Sequence, residues 1–443
     1  MCCSGGLSGT NGMRMFGVGL DQILHIEMVL PDGRHVRFGP SSWVHDSKFM
    51  YPQTKHVKGY CNIGDMSDES SWNWSECEEG TEPNFNDLWF AVRGGGGGAF
   101  GIVTSLYYQL HDFPKFQAYF VLIPQDDSGL EDAKKWIEFY LRFSFIPESI
   151  GVTKGASNSC GHSNAGGLSG GFLFCHNGAG DVMKAAWERF YDEETTIVWY
   201  EAPADSYSAL FGDLSSNYLI LDDPPAVVSP YISDILGHAG EHYPLSLFSD
   251  EDRFSQFLDL FSSCLAASAC RPNLYLMGGA IPFASDGMTA FPMHRRHNAF
   301  MAEIYGSYYP HEIKKLFYEV SDDEPATGDE FPGSICHNHA RPDAITPLRD
   351  DWTKSCDRSW TAEEQKERCF TFQEATLGTV NVKKLEMIHE DVDPHHLFAC
   401  PDCVGYRSSS TSKKSKKKKK SKSKDKSKKK KSKDKKMKVK KVH

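Results

Sequence analysis

The alternation of apolar and polar residues predicts β-strands in the first part of the chain. Residues 23–38 alternate on both sides of a Pro-Asp-Gly-Arg turn at 31–34 and predict a β-hairpin. Residues 102–108 and 116–123 are rich in β-branched and aromatic side chains, which predicts two further strands. Residues 39–86 are polar, aromatic and rich in turn-forming residues, so we expect an irregular insertion there.

Helical spacing of aromatic and aliphatic residues appears three times in the middle of the chain. Each predicted helix has a candidate N-terminal cap, and these are Ser128 with Glu131, Asp181, and Ser249 with Asp252. Strand candidates lie between and after the helices, over residues 169–175, 274–281 and 299–305. Strands and helices interleaved through long connections predict an α+β fold.

The C-terminal part begins with a predicted helix and ends in a basic tail. A helix is expected over residues 382–390, with Asp393-Pro394 as its end. The Ser/Lys-rich residues 407–443 cannot bury a core, so we predict that they are disordered.

Charge is distributed very unevenly between this tail and the body. Residues 413–443 contain 20 Lys and 2 Asp, a net charge of about +18. The rest of the chain has 29 basic and 57 acidic side chains, a net charge of about −28. An acidic body disfavours specific nucleic-acid binding, whereas the tail is expected to bind a polyanionic surface. A solvated extension without a partner, an anchor to an anionic polymer, mineral or membrane surface, and a nuclear address remain three interpretations of the tail.

Cysteine content and hydropathy indicate the compartment. Thirteen cysteines favour an oxidising environment with disulfides, so we expect an extracellular or secretory-pathway protein, although no signal peptide is visible in this chain. No run of about 18 apolar residues occurs, and no membrane span is expected. Cys400-x-x-Cys403 is a single pair, as consistent with a disulfide as with zinc, and Cys336-His337-Asn338-His339 is a weak metal signal, so we expect no metal.

The glycine run from 94 to 101 has the most conspicuous composition in the chain. Residues 96–101 satisfy the G-x-G-x-x-G pattern of dinucleotide-binding folds, but such a site requires a helix immediately afterwards. A strand is predicted instead, which disfavours a Rossmann site, and no Gly-Lys-Ser/Thr follows, which excludes a P-loop. A flexible turn and a backbone that approaches a flat or charged ligand closely remain as interpretations.

Four segments together resemble one family of flavoproteins. Residues 16–24 (FGVGLDQIL) and 87–104 (DLWFAVRGGGGGAFGIVT) resemble the second half of the PCMH-type FAD-binding domain. This domain characterises the vanillyl-alcohol-oxidase and p-cresol-methylhydroxylase superfamily, and the match is to its berberine-bridge-enzyme-like branch. Residues 289–295 (TAFPMHR) and 377–398 are similar to two later signatures of that branch, and the order agrees over residues 4–406.

The resemblance implies a two-lobed α+β fold in which FAD lies across the first lobe and the second lobe covers a substrate cleft. Residues 1–113 would be the second half of the FAD domain, and residues 114–368 would be an α+β substrate domain. Residues 369–406 would be a berberine-bridge-like segment that returns to the FAD domain, and residues 407–443 are the tail. The family's pyrophosphate loop and flavin-linking His precede everything matched here. We therefore expect an N-terminally incomplete relative.

The resemblance also implies the cofactor-binding residues. Backbone near Gly101, Ile102 and Val103 would meet the adenine, and the segments at Phe16-Gly17 and Asn381 would line the flavin. A covalent link through Cys2 or Cys3 is a further hypothesis, since neither has the family's spacing to a Gly-Gly-His. The complete set of cofactor-binding candidates is Cys3, Phe16, Gly17, Asp21, Gly97, Gly98, Gly101, Ile102, Val103 and Asn381.

The implied chemistry is hydride transfer from a small alcohol or sugar to flavin, with O2 or a quinone as electron acceptor. Glu303 and Tyr305 are the candidate catalytic residues, because strand alternation places both on one face with Met301. A solvent-facing strand residue is the alternative for Glu303. His294 and Arg295 are interpreted as holding their turn in place, with contact to the substrate as the alternative. The alternative function is a flavin-less homologue that acts as a polyanion-binding or structural protein through its tail.

Overall fold

The computed structural model describes most of the chain outside the tail. The described residues are 14, 17–44, 53–78, 83–95, 98–110, 116–122, 127–154, 160–162, 171–176, 178–191, 198–204, 238–266, 271–283, 289–292, 296–305, 346–351, 354, 356–399 and 403–405. Cys3, Phe16, Gly97, His294, Arg295, residues 336–339 and the Lys-rich tail lie outside them.

An antiparallel five-stranded sheet is the first element of the fold. Its strands are β1 Ile23–Val29, β2 His35–Val44, β3 Gln53–Asn62, β4 Trp74–Ser75 and β5 Ile102–Tyr108, in the order β4-β3-β2-β1-β5. The hairpin predicted over 23–38 is confirmed, with Ile26 opposite Phe38 and Val29 opposite His35. The predicted irregular insertion is wrong, because β3 and β4 lie within residues 39–86 and extend this sheet.

The two faces of this sheet differ in chemistry because side chains alternate along each strand. Ile26, Met28, Val36 and Phe38 are buried on one face. Helix α1 (Phe85–Val92) packs there with a fully buried Trp89, and the Asn84 side chain accepts hydrogen bonds from two amides of its first turn. The opposite face carries His25, Glu27, Arg37 and other polar side chains.

The middle of the chain builds two further antiparallel sheets. The strands are β6 Phe116–Leu122, β7 Cys160–His162, β8 Gly171–His176, β9 Val198–Ala204, β10 His238–Pro244, β11 Arg271–Leu276 and β12 Asn298–Tyr305. One sheet has the order β7-β8-β6-β9 and the other β10-β12-β11, and edge strands β7 and β11 lie next to each other. The predicted strands here are confirmed, with boundaries shifted by one to five residues.

Three helices cover these sheets with an aromatic core. They are α2 Asp127–Phe145, α3 Ala179–Phe190 and α4 Glu251–Ala266, and α2 packs against the other two. Trp136, Phe139, Tyr140 and Phe143 repeat at helical spacing and are completely buried, as the sequence pattern predicts. Each such side chain contributes about 1.5–3 kcal/mol through removal of its surface from water.

The predicted caps of these helices are wrong by one to three residues. Helix α2 begins at Asp127, so Ser128 lies inside its first turn. Gly178 precedes α3, which places Asp181 in the first turn and not at the N-cap. At the start of α4, it is the Asp250 carboxylate, one residue after the predicted Ser249, that accepts hydrogen bonds from the amides of Asp252 and Arg253.

The last helices return to the first sheet. They are α5 Ala362–Arg368, α6 Phe372–Leu377 and α7 Thr379–Val392, and α7 lies against α1. Leu385 and Ile388 of α7 share a hydrophobic core with the buried face of β1 and β2. The predicted helix over 382–390 is confirmed and extends further at both ends. It ends as predicted at Asp393, whose carboxylate accepts hydrogen bonds from the amides of Leu397 and Phe398 at 2.9 and 2.7 Å.

Disulfides join residues that are close in sequence. The pairs are Cys61–Cys77, Cys160–Cys175 and Cys356–Cys369, and Cys403 is also disulfide-bonded. Cys403 is therefore not a free thiolate ligand for zinc. Within the described ranges, no helix combines the length and the apolar character needed to cross a membrane.

Candidate functional site

A buried cluster of three charged side chains joins distant parts of the chain. Both Nη atoms of Arg296 donate to the Asp21 carboxylate, at 2.7 and 2.9 Å. Arg93 lies on the other side of Asp21, with its Nη2 3.7 Å from Oδ1, and its Nε donates to the Leu20 carbonyl at 2.9 Å. All three side chains are almost inaccessible to solvent.

Secondary contacts fix both guanidinium groups. Arg296 also donates to the Thr289 hydroxyl at 3.2 Å and the Ile281 carbonyl at 3.3 Å, and it lies over the Phe291 ring. Arg93 lies 4.4 Å from the Trp89 ring centroid. Burial lowers the pKa of Arg93 to about 10 and Asp21 opposes that shift, so Arg93 remains charged at neutral pH. The Asp21 carboxylate thus lies between two buried guanidinium groups.

The backbone of Ala290 connects the end of α1 with the first turn of α7. Its amide donates to the carbonyls of Phe90 and Arg93 at 3.1 and 3.0 Å, where α1 ends. Its carbonyl accepts a hydrogen bond of 3.0 Å from the side-chain amide of Asn381 in the first turn of α7. The segments containing Asp21, Arg93, Ala290 and Asn381 are therefore brought together at one place.

The first glycines of the run are required by packing inside the protein. Gly94 has a φ of +118°, and a Cβ there would lie 2.5 Å from the backbone nitrogen of Phe291. A Cβ on Gly95 would lie 2.6 Å from Leu385 of α7. Gly94 therefore allows the end of α1 to approach the backbone of the 289–292 segment, and Gly95 allows it to pack against the Leu385 side chain of α7.

The later glycines face a more open surface. Gly98 is exposed with a φ of +73°, and a Cβ there would meet nothing within 4 Å. Gly101 has a φ of +140° and packs against the Val29 carbonyl. Ile102 and Val103 follow directly in edge strand β5 and are 56% and 41% exposed. Because a strand and not a helix follows the glycines, the run is not a Rossmann phosphate site, as predicted.

The candidate catalytic residues lie on the central strand of the three-stranded sheet. Glu303 in β12 is in register with Gly240 and Asn273, and Tyr305 is in register with His238 and Arg271. Their side chains lie outside the described part of the structure. Gly17, a predicted flavin neighbour, is buried with a φ of +89° next to the segment that carries Asp21.

Sequence reasoning missed Arg93 and Arg296 as key residues. Arg93 stands between an apolar helix and a glycine run, and an arginine in such an apolar context is a signal of buried pairing. Arg296 is one residue beyond the predicted His294-Arg295 pair, in a segment that has one residue more than the signature it resembles. Only the fold places Arg296 against Asp21.

Comparisons with known proteins place this arrangement in context. No protein-family model and no curated protein matches the chain. A VAO-type flavoprotein from Myceliophthora thermophila C1 is similar in structure with a TM-score of 0.52 and 14% identity, over 91% of this chain and 60% of that chain. BBE-like 1 of Physcomitrella patens has a TM-score of 0.48 and 14% identity, over 90% of this chain and 70% of that one.

A chitooligosaccharide oxidase has a TM-score of 0.49 and 17% identity, over 89% of this chain and 69% of its own. This chain spans about 60% of the length of the Myceliophthora protein. That protein has an α+β fold in common with this chain, which confirms at the level of the fold the resemblance found in the sequence. The chain therefore has the fold of the VAO-type flavoproteins.

Proposed function

We propose that the protein is an FAD-dependent oxidoreductase that takes a hydride from a small alcohol or sugar and passes the electrons to O2 or a quinone. The observation that carries this proposal is the convergence of four flavoprotein-like segments on the cluster around Asp21 and Ala290. In this proposal, the first sheet with α1 and α7 is the second half of an FAD domain. The sheets and helices of the middle region form the second of two lobes and cover the substrate.

The described residues fit the adenine end of FAD. Gly98 offers an exposed backbone without a Cβ, and Ile102 and Val103 offer an exposed apolar surface at a sheet edge. The flat adenine ring could approach the Gly98 backbone closely, because no side chain stands between them, and it could pack on the apolar surface of Ile102 and Val103. Gly101 positions Ile102 through its packing on Val29. Gly97, Phe16 and Cys3 remain proposed cofactor contacts.

Asp21 and Asn381 are proposed to support the cofactor site indirectly, through contacts with other protein groups. The Asp21 carboxylate is already bound by Arg296, and the Asn381 amide is bound to Ala290. Both therefore position the segments that would line the flavin, including Gly17.

When bound, FAD would supply the acceptor for the substrate's hydride, that is, for two electrons and one proton. Glu303 is proposed to take the proton from the substrate hydroxyl, and Tyr305 to contact the substrate on the same strand. A carboxylate serves as a general base when it lies within hydrogen-bond reach of that proton. The disulfides are typical of proteins that fold in an oxidising compartment, which supports an extracellular location.

The visible absorption spectrum of the purified full chain tests the proposal. In a spectrum recorded near neutral pH, we expect the absorption bands of flavin. Acid precipitation then distinguishes covalently attached from dissociable flavin. Colour in the pellet indicates a covalent link, to be tested with Cys3→Ser, and colour in the supernatant indicates dissociable FAD. Protein that stays colourless after refolding with FAD would contradict the proposal.

A second candidate function rests on the charge of the tail. Residues 413–443 carry about +18 beside a body of about −28, which favours binding of polyanions through the tail without any flavin. Colourless protein that still binds a polyanion with steep salt dependence would favour this candidate. Salt-independent binding would contradict it.

A further inference from the structure

The open face of the first sheet contains a cleft that the proposed flavin chemistry does not use. The cleft has a volume of about 290 Å³ and is lined by His25, Arg37, Lys58, Tyr60, Trp74 and Tyr107. Three of its six side chains belong to β3 and β4, the hairpin that the sequence alone presents as an irregular insertion. Along β5, a rise of about 3.3 Å per residue separates Tyr107 from Ile102 by roughly 16 Å.

Strand pairing brings the lining residues onto one face. Arg37 of β2 is opposite both Glu27 of β1 and Tyr60 of β3. His25 is opposite Tyr107 of β5. Since side chains two residues apart share a face, Lys58 lies on the same side as Tyr60. The cleft is therefore a direct consequence of the sheet order β4-β3-β2-β1-β5.

Arg37 is held at the centre of the cleft. Its Nε donates to Glu27 Oε1 at 2.5 Å, and the Tyr107 hydroxyl donates to the same oxygen at 2.7 Å. The guanidinium carbon lies 4.5 Å from the Trp74 ring centroid and 5.5 Å from that of Tyr107. Glu27 is buried, so this arrangement is fixed before any ligand arrives.

Ring contacts hold Trp74, one of the aromatic residues that line the cleft, in place. Trp74 packs edge-on against His35 at 4.9 Å, and His35 packs against Trp72 at 4.7 Å. The Cys61–Cys77 disulfide closes the hairpin just beyond Trp74. Tyr60 and Tyr107 nevertheless remain 40% and 42% exposed, so aromatic surface faces solvent at the mouth of the cleft.

Among the residues that the structure describes, the lining of the cleft together with Glu27 has a net charge of +1. Arg37 and Glu27 compensate each other, and Lys58 forms no ion pair within the described residues. Burial, together with the charge of Arg37, lowers the pKa of His25, so its ring is neutral near pH 7. A single unpaired cation beside exposed rings distinguishes this cleft from the strongly acidic body around it.

We propose that this cleft binds a carboxylate-bearing sugar unit, that is, a uronate residue of an acidic polysaccharide. The C–H face of a pyranose ring is apolar and packs on Tyr and Trp rings, and its size matches a cleft of about 290 Å³. The carboxylate carries one negative charge and complements Lys58 and the exposed part of Arg37. This site is independent of the proposed flavin chemistry.

Isothermal titration calorimetry with tetragalacturonate tests the proposal on the full chain in about 150 mM salt. The fully methyl-esterified tetramer is the matched neutral ligand, because it keeps the rings and removes the charge. We expect the acid to bind at least tenfold more tightly than the ester. The variants are Lys58→Ala and Tyr60→Ala, and each is expected to weaken binding of the acid about tenfold.

Lys366→Ala is the control for a general loss of charge, since Lys366 is exposed on α5, away from the cleft. It is expected to bind like the unmodified chain. All variants retain the Lys-rich tail, which attracts the acid but not the ester, so the cleft accounts for the part of the preference for the acid that Lys58→Ala and Tyr60→Ala remove. Equal affinities of the unmodified chain, Lys58→Ala and Tyr60→Ala would overturn the proposal, as would equal binding of acid and ester. Arg37 is left unchanged because its replacement would leave the buried Glu27 carboxylate without its cationic partner.

Discussion

Asp21 and Arg296 are 275 residues apart in sequence and form a buried ion pair through two hydrogen bonds of 2.7 and 2.9 Å. The pair connects the segment that enters β1 with the segment that enters β12. Arg93 contributes a second cation from the end of α1. Three parts of the chain are thus fastened by one carboxylate, and the proposed flavin-facing segments depend on it.

Replacing that carboxylate should be very destabilising. In Asp21→Asn, the buried Arg296 guanidinium loses the carboxylate that accepts two of its hydrogen bonds, and we expect the free energy of unfolding to fall by about 3–5 kcal/mol. Asp32→Asn is the matched control, because Asp32 pairs with Arg34 at the surface and its loss should cost less than about 1 kcal/mol. Urea unfolding followed by circular dichroism measures both. Similar midpoints would show that the cluster contributes little to stability.

Gly94 and Gly33 provide a test of close packing at the glycine run. Both have positive φ values, +118° and +88°, so alanine is strained at either position. A Cβ at Gly33 meets nothing within 4 Å, whereas one at Gly94 meets the Phe291 backbone at 2.5 Å. Gly94→Ala should therefore lower the melting temperature clearly more than Gly33→Ala. It should also reduce flavin retention, since it displaces the 289–292 segment. An equal effect of the two variants would argue against the close approach.

The Cys61–Cys77 disulfide should stabilise the added hairpin. Its sequence separation is 16 residues, and a loop of this size corresponds to about 3 kcal/mol of stabilisation in the chain-entropy account. The Cys61→Ser, Cys77→Ser double variant should unfold at lower urea concentration by about this free energy. It should also lose affinity for tetragalacturonate, because Trp74 pairs with Asn62 next to the bridge. Unchanged affinity together with reduced stability would show that binding of the ligand does not depend on the disulfide-bridged hairpin.

Acid should destabilise the protein in part through His35. Burial lowers the pKa of His35 below its ordinary 6.5, so the unfolded state binds more protons once the pH falls below that value. The stability contribution is therefore complete above pH 6.5 and is lost as the pH decreases. His35→Gln should reduce the fall in unfolding free energy between pH 7 and 5, and the exposed His56→Gln should not. The same pH dependence in both variants would assign the effect to other groups.

Glu303→Gln tests the proposed base if flavin is bound. Loss of a general base typically lowers kcat by about 10²–10⁴-fold. The oxidation rate of the best alcohol or sugar substrate should decrease within that range, and flavin content should remain. Glu363→Gln, on the exposed side of α5, is the control and should keep full activity. A normal rate in Glu303→Gln would remove Glu303 from the mechanism.

Much of the architecture followed from the sequence because it depends on local patterns. The turn motif between two strand-like runs identified β1 and β2, β-branched and aromatic composition identified β5, and helical spacing identified the aromatic core of α2 around Trp136 and Phe139. Local signals were less successful where several polar residues compete for a cap, as at Asp250. The β3–β4 hairpin was missed because its strands are stabilised by pairing with β2 and by a disulfide, and neither is visible in local composition.

The sequence by itself determined the α+β class, the motif segments and their order, and the charge contrast between body and tail. The tertiary structure decided which of the motif residues meet. Gly94 faces Phe291, Asn381 binds Ala290, and Arg296 binds Asp21, although long stretches of chain separate the members of each pair. Local propensity acts over a few residues, whereas a buried ion pair forms only when packing excludes water from both partners.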